Sequence, residues 1–145
     1  MIYRKATVAD IPYFVKTRRI LLKREEDRSI DRLLEEFFTD AFSDAMIAWV
    51  AEDDGQVIAT VCICICPLVP RFDNPSGKVA YLTNMYTSPD YRRQGVASCL
   101  MREVLSDAER QGIKSILLNS TDMAVSIYER LGFAKSESYY VLSIP

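Results

Sequence analysis

The run 84–97 holds the residues best suited to bind a phosphate group. It carries a strand end, a proline-bearing turn and the start of a helix that is predicted over 93–110. Backbone N–H groups in the first turn of a helix lack intrahelical acceptors and carry partial positive charge, so they suit a pyrophosphate. Gly95 lets a phosphate approach the backbone because no Cβ stands in the way, and Arg92 and Arg93 add positive charge. A helix that begins with exposed arginines and one tolerated glycine has the same sequence, so the residues alone leave both interpretations open.

Two motifs follow one another along the chain, Arg92-x-x-Gly95-x-Ala97 and Tyr128-Glu129-x-x-Gly132-Phe133. The first resembles the acyl-CoA-binding motif of the GNAT acetyltransferases, Arg/Gln-x-x-Gly-x-Gly/Ala. The second resembles the Tyr-Glu-x-x-Gly-Phe motif of the same family. The order of predicted strands and helices is also similar to that family along essentially the whole chain. The resemblance implies an N-acetyltransferase with acetyl-CoA as co-substrate and an amine as acceptor.

The resemblance also implies where acetyl-CoA binds. The amides of 93–98 would wrap the CoA pyrophosphate, and the pantetheine arm would enter a gap between the strand ending at Thr87 and the strand at 116–119. Backbone groups of Met85 and Thr87 would pair with that arm, and an N–H at Tyr86 or Thr87 would polarise the thioester carbonyl. The full implied set is Met85, Tyr86, Thr87, Arg92, Arg93, Gln94, Gly95, Val96, Ala97, Ser98, Asn119 and Thr121.

Tyr128 is the catalytic residue that the second motif implies, as general acid to the departing CoA thiolate. An alkyl thiol has a pKa of about 8.5 and a tyrosine about 10, so a phenol can protonate the sulfur while staying neutral itself at neutral pH. The alternative is a helix tyrosine that is buried only for the packing of its ring.

The general base is not identified by the sequence. The chain contains no histidine, which removes the commonest base, and the strand at 78–87 holds no acid. The acidic residues 25–27 lie in a loop that in the family shapes the acceptor site, although a solvated polar loop explains them better than catalysis does. Many relatives carry an asparagine at the position of Thr121, so Asn119 or the Thr121 hydroxyl would have to replace that contact.

The elements that must position these residues alternate in a recognisable order, β-αα-β-β-β-α-β-α-β. This order predicts an α/β (α+β mixed) fold in a single domain over 1–145, with a mixed, mostly antiparallel sheet of about six to seven strands and about four helices. The predicted strands are 2–6, 46–51, 57–66, 79–87, 116–118 and 139–144. The predicted helices follow Asp10, span about 30–42, and cover 93–110 and 124–131.

Composition and charge limit the kinds of binding partner that we expect for this protein. Of the 145 residues, 49% are hydrophobic and 26% charged, which is typical of a globular protein. A net charge of −2 gives no reason to expect nucleic acid or an acidic membrane as a partner. The uncharged and mainly apolar run 57–70 has 14 residues and two prolines, too short to span a bilayer. We therefore expect a cytoplasmic protein, and a homodimer is possible because GNAT proteins are often dimers.

Cys62, Cys64 and Cys66 alternate along one predicted strand and point the same way, a poor geometry for pairing with one another. We expect free thiols in a reducing compartment and no metal site.

Two other functions stay open: a GNAT-fold module that binds acyl-CoA as a sensor without turnover, and a nucleotide-binding domain. The second ranks low because the chain lacks a Walker A or dinucleotide-binding glycine motif. The acceptor amine is not readable from the sequence.

Overall fold

Five strands form one sheet in the computed structural model, which describes residues 1–145. They are β1 (Ile2–Lys5), β2 (Met46–Asp53), β3 (Gln56–Pro67), β4 (Lys78–Thr87) and β5 (Ser115–Leu117), and they lie side by side in that order. Neighbouring strands are antiparallel except β4 and β5, which are parallel. The predicted mixed, mostly antiparallel sheet is confirmed, with its parallel pair in the second half of the chain.

Four helices cover the sheet: α1 (Ile11–Leu21), α2 (Asp31–Asp44), α3 (Val96–Arg110) and α4 (Val125–Arg130). Short 3₁₀ turns at Val8–Asp10 and Pro89–Tyr91 precede α1 and α3. The apolar stripe that predicted α3 is its buried face, formed by Val96, Leu100, Val104 and Ala108. None of the helices is both long and apolar enough to cross a lipid bilayer.

The core lies in two layers, one on each face of the sheet. Residues of α3 and α4 pack with one face in a cluster of 15 buried side chains, and α1 and α2 pack with the other face in a cluster of seven. Successive residues of β3 alternate between these layers: Val61 and Ile63 face α3, and Cys62 faces α1 and α2. A strand covered on both faces needs apolar residues at every position, which is why 57–66 is a nearly continuous hydrophobic run.

One predicted strand and the predicted start of one helix are wrong. The segment 139–144 forms no strand and is exposed, so the sheet has five strands and not six or seven. A strand exists only where its backbone finds a neighbour, and β-patterned residues alone do not supply one. The helix predicted from Arg93 begins at Val96, because the preceding loop adopts left-handed backbone angles that a helix cannot contain.

The three strand cysteines differ in exposure although they share one face of β3. Cys62 is buried, Cys64 is half-buried and Cys66 is exposed, and all are free thiols. The Cys62 thiol lies 3.5 Å from the carbonyl oxygen of Thr83 on the neighbouring strand. The change in exposure follows the strand as it leaves the cover of α1 and α2 toward its end at Pro67.

Candidate active site

A β-bulge interrupts the pairing of β4 with β3 in the middle of the sheet. Thr60 lies opposite Tyr86 and Cys62 lies opposite Thr83, so β4 has one more residue than β3 between these two pairs. Asn84 lies in this interval and has a left-handed φ of 54°. Asparagine tolerates this conformation better than most residues do, which explains a β-unfavourable residue inside a strand. The bulge redirects the second half of β4.

The side chain of Asn84 ties the bulge to α1. It is 2% exposed, and its Nδ2 donates to the carbonyl oxygen of Phe14 at 3.2 Å and to Thr17 Oγ1 at 2.9 Å. The carbonyl oxygen of Asn84 accepts from Thr60 Oγ1 at 2.8 Å on the other side. Because both the amide and the backbone are held, the conformation of the bulge depends on the packing of α1 against the sheet.

The pairing of β4 with β5 ends before the bulge. Their parallel pairing covers Val79 to Tyr81 on β4 and ends there, while β4 continues to Thr87. Residues 82–87 therefore have no strand partner on the β5 side. Of the sequence-predicted contacts, three are half-buried residues of this unpaired part of β4, namely Met85, Tyr86 and Thr87. Asn119 and Thr121 follow β5 as exposed residues.

Tyr128 is carried by α4 to the unpaired half of β4. Its hydroxyl lies 3.6 Å from Met85 Sδ, and its side chain is only 6% exposed. The ring packs edge-on against Phe133, with centroids 5.7 Å apart and an interplanar angle of 66°. Burial raises the pKa of the Tyr128 phenol above its usual value of 10.0. The phenol therefore stays protonated at neutral pH, and its only hydrogen-bond acceptor is a methionine sulfur, which accepts weakly.

The loop before α3 presents a row of free backbone N–H groups. None of the amides of residues 93–98 donates a hydrogen bond within the protein, and the first amide of the helix to do so is that of Cys99, which donates to the carbonyl oxygen of Gly95 at 3.0 Å. Arg93 and Gly95 have left-handed φ values of 62° and 82°. Left-handed residues next to residues of negative φ turn successive amides toward one side, which makes a concave anion site.

Gly95 is the N-cap of α3 and does not lie within its first turn, which corrects the sequence-based placement. Two features explain why a glycine stands at this position: the left-handed backbone and the open space beside it. A Cβ built at Gly95 would meet no protein atom within 4 Å. It would instead project into the open space beside the free amides of residues 93–98.

The side chains of this loop differ in what they contact. Arg92 Nε donates to the carbonyl oxygen of Thr87 at 3.0 Å and so links the loop to the end of β4. Gln94 Nε2 donates to the carbonyl oxygen of Asp90 at 2.7 Å and closes the turn. Val96 is a core residue whose side chain is 2% exposed, so only its backbone N–H is available to a ligand. The structure thus brings the predicted residues Arg92, Arg93, Gln94, Gly95, Val96, Ala97 and Ser98 together as one loop and helix start.

Sequence reasoning missed Asn84, although an asparagine within a β-rich run is a recognisable signal for a bulge. It also missed Arg18 on α1, whose Nη1 donates to Thr83 Oγ1 at 3.1 Å, next to the bulge. In the acidic loop, Asp27 accepts from the N–H of Ser29 at 3.0 Å and from Arg24 at 3.3 Å. These contacts, that of Ser29 foremost, hold the pKa of Asp27 below its usual value, so this carboxylate is a poor proton acceptor.

Comparison with known proteins agrees with this geometry. The sequence model of the Acetyltransferase (GNAT) family matches residues 14–133. Because the match covers most of the chain, this protein belongs to the GNAT acetyltransferase family. This match confirms the family that the two sequence motifs predicted.

Among curated proteins, the chain is similar to N-acetyltransferase family 8 member 2 of Rattus norvegicus, 37% identical over 97 residues, which cover 64% of this chain and 41% of that protein. It is also similar to a probable N-acetyltransferase, family 8 member 5, of Mus musculus, 34% identical over 100 residues, covering 66% of this chain and 42% of that protein. The match therefore spans only about two fifths of the length of these relatives.

Among solved structures, a crystal structure of a predicted acetyltransferase with acetyl-CoA from Clostridium acetobutylicum superposes with a TM-score of 0.90 and 29% identity, covering 98% of this chain and 95% of that one. A GCN5-related N-acetyltransferase from Ralstonia eutropha JMP134 superposes with a TM-score of 0.84 and 20% identity over 99% of this chain and 97% of that one, and supports the fold alone.

Proposed function

We propose that this protein transfers an acetyl group from acetyl-CoA to an amine by direct attack within a ternary complex. The observation that carries this function is the buried phenol of Tyr128 beside the unpaired half of β4. A proton donor at a gap between two strands suits a reaction whose leaving group must be protonated away from bulk water. Family membership and the acetyl-CoA named with the Clostridium relative support the same co-substrate.

Acetyl-CoA would bind along the two features described above. The free amides of residues 93–98 are suited to the pyrophosphate, since six N–H groups without protein acceptors meet an anion at a helix N-terminus. Arg92 and Arg93 add positive charge to this loop. The pantetheine arm would enter the gap and pair with backbone groups of Met85 and Thr87, with Asn119 and Thr121 on the far side.

The chemical step forms a C–N bond and breaks a C–S bond. The neutral amine nitrogen attacks the thioester carbonyl carbon, and negative charge develops on the carbonyl oxygen, which needs a positioned donor such as the N–H of Tyr86 or Thr87. As the intermediate collapses, the sulfur leaves with the electron pair of the C–S bond and takes the proton of the Tyr128 hydroxyl. The tyrosinate regains a proton from solvent, and the amine loses its extra proton.

Removal of the proton from the acceptor amine is energetically costly. In the proposed mechanism no protein group takes this proton, so it is lost to water or within the acceptor itself. A lysine-like amine with a pKa of about 10.4 is neutral in about one molecule in 2,500 at pH 7, a handicap of roughly 4.6 kcal/mol. The strand β4 contains no carboxylate, and its bulge carries the amide of Asn84, which does not accept protons at neutral pH. Turnover is therefore expected to rise with pH through the neutral range as the neutral amine becomes more abundant.

The test measures release of free CoA thiol from acetyl-CoA with a panel of amines that includes small molecules, peptide N-termini and lysine side chains. Turnover with at least one amine, above hydrolysis without amine, is the expected result. Calorimetric titration with acetyl-CoA and with ATP accompanies it. Tight acetyl-CoA binding without turnover on any amine would indicate a non-catalytic acyl-CoA sensor, and preference for ATP would indicate a nucleotide-binding domain.

A further inference from the structure

Arg18 on α1 is the one arginine of this chain that is neither exposed to solvent nor paired with a carboxylate. Arg4 and Arg19, the other two arginines that are not exposed, form ion pairs with acidic side chains. The remaining arginines without a carboxylate partner are all exposed, namely Arg28, Arg92, Arg93, Arg102 and Arg130. A half-buried charge is costly to keep without a counter-charge, so Arg18 points to an anion from outside the chain.

The neighbours of Arg18 leave most of its donors free. Its Nη1 donates to Thr83 Oγ1 at 3.1 Å, and this is its only hydrogen bond. On β3 its charge meets thiols and no carboxylate: a hydrogen bond from Cys62 and, after it, the charge of Arg18 lower the pKa of Cys64. A guanidinium has five N–H donors in a planar fork that matches a carboxylate bidentately. The fork of Arg18 is therefore available to a carboxylate.

The bulge of β4 places Arg18 beside the proposed reaction site. Thr83 and Asn84 both contact α1, although successive side chains of a regular strand point to opposite faces. Tyr128 and its contact Met85 belong to the core layer on the side of α3 and α4. The unpaired half of β4 thus has the phenol on one face and the guanidinium on the other. With the CoA sulfur beside the phenol, the acceptor amine would approach from the side of Arg18.

The surface around Arg18 is otherwise apolar. Leu21 and Leu22 follow it by three and four positions, so they lie on the same side of α1, and they are 40% and 46% exposed. Tyr81 precedes Thr83 by two positions on β4, so it lies on the same face, and it is 40% exposed. None of these three apolar side chains belongs to either core cluster. A cation bordered by exposed apolar side chains suits a ligand that carries a carboxylate and an apolar substituent.

We propose that Arg18 binds the carboxylate of the acceptor, and that the acceptor is an α-amino acid with an apolar side chain. This inference rests on the proposed acetyl transfer, whose amine it specifies. Thr83 and Met85 are two residues apart, about 6.6 Å along a strand, so the carboxylate and the amine must be only a few bonds apart. An α-amino acid carries both groups on one carbon, whereas a protein lysine carries its amine on a stem of four carbons.

The test compares amines that differ only in the carboxylate. The ratio kcat/KM is measured for L-phenylalanine and L-leucine and for their decarboxylated counterparts, phenethylamine and isoamylamine. The wild-type protein should favour the amino acid in each pair. Arg18→Gln should lower this preference about 10–100-fold, because hydrogen bonds to charged groups contribute more than neutral ones. Comparing the preference of the variant with that of the wild type cancels the difference in amine pKa and any loss of folded protein.

Two control variants separate carboxylate binding from other roles of Arg18. Arg28→Gln removes the same charge from an exposed arginine in the loop between α1 and α2, and it should leave the preference unchanged. Cys64→Ser removes the thiol that the charge of Arg18 reaches, and it should also leave the preference unchanged. A loss of preference in Cys64→Ser as large as that in Arg18→Gln would show that Arg18 acts through the thiol and would overturn the proposal.

A binding measurement distinguishes failure of this inference from failure of the proposed function. Calorimetry with N-acetyl-L-phenylalanine, the product of the transfer, in the presence of CoA detects the carboxylate without turnover, and Arg18→Gln should weaken this binding at least tenfold. Decarboxylated amines that react as fast as the amino acids, or a preference that Arg18→Gln leaves unchanged, would overturn the role of Arg18 and leave acetyl transfer intact. Absence of turnover with every amine would overturn acetyl transfer, and the calorimetry would then decide whether Arg18 binds a carboxylate.

Discussion

The loop before α3 and the surroundings of Tyr128 are built in opposite ways. The loop is exposed and consists of consecutive residues, and the groups that it offers to a ligand are the free backbone amides of 93–98. The Tyr128 hydroxyl is buried and meets Met85, 43 residues away along the chain, at a bulge held by Phe14, 70 residues from Asn84. Under the proposed function, local backbone conformation would determine binding of the cofactor, and packing between distant elements would determine the chemical step. Mutations in the two regions should accordingly change different quantities.

The largest effect is expected from Tyr128→Phe, which keeps the ring packing against Phe133 and removes only the proton donor. General acid catalysis contributes about 10²–10⁴-fold, so kcat should fall by a factor in that range. The affinity for acetyl-CoA, measured by calorimetry, should stay unchanged because the amide row is untouched. Since burial raises the pKa of the phenol above 10.0, the wild-type enzyme should keep its acid active up to about that pH.

A slow step other than thiolate release could mask the loss in Tyr128→Phe, and a pre-steady-state burst measured beside the turnover number reveals such a step. If chemistry limits the rate and the phenylalanine variant runs at wild-type speed, Tyr128 is a packing residue and the proposed mechanism is wrong.

Asn84→Ala is the next strongest change, and it probes the packing that the chemistry depends on. The variant removes two buried hydrogen bonds and places alanine at a φ of 54°, so the free energy of unfolding should fall by about 1–3 kcal/mol. Urea denaturation followed by circular dichroism measures it. Asn74 is the control: its Nδ2 donates to the carbonyl oxygen of Lys78 in an exposed loop, and Asn74→Ala should cost less than about 1 kcal/mol. Equal losses in the two variants would mean that the bulge is not specially held by α1.

Gly95→Val should raise the dissociation constant for acetyl-CoA about tenfold or more, a change of about 1.4 kcal/mol or more. The added side chain projects into the open space beside the amide row and strains the left-handed backbone. Gly55→Val is the control, because Gly55 has a similar φ of 73° and equally open surroundings in the turn between β2 and β3. That variant should lose stability and keep its affinity. An unchanged affinity in folded Gly95→Val would exclude the loop as the cofactor site.

The smallest effect is expected from Arg92→Ala, which removes one exposed charge and the link to Thr87 without touching any amide of 93–98. The affinity for acetyl-CoA should fall a few-fold at low salt and less at high salt, because the Debye length shrinks from about 30 Å at 0.01 M to about 10 Å at 0.1 M. Calorimetry at two ionic strengths checks this. A loss that is the same at both salt concentrations would show that Arg92 acts through the shape of the loop and not through its charge.

Much of the fold and site could be predicted from the sequence. The order of elements and the buried stripe of α3 followed from hydrophobic periodicity, and Tyr128 and the loop 92–98 followed from the two motifs. The start of α3 was predicted three residues too early, because the periodic pattern does not show that Arg93 and Gly95 take left-handed angles. The segment 139–144 has the residue types of a strand, but residue types do not determine whether a neighbouring strand lies beside it.

The sequence by itself determined the features that depend on near neighbours: helix faces, turns, and a glycine where a left-handed φ favours one. Tertiary structure decided the rest, because it depends on contacts between distant segments. It placed the bulge at Asn84 through a hydrogen bond from β4 to α1, ended the pairing of β4 with β5 at Tyr81, and buried the Tyr128 hydroxyl against Met85. Desolvation by that packing raises the pKa of the Tyr128 phenol above its usual value, an effect that depends on the tertiary structure and not on the tyrosine alone.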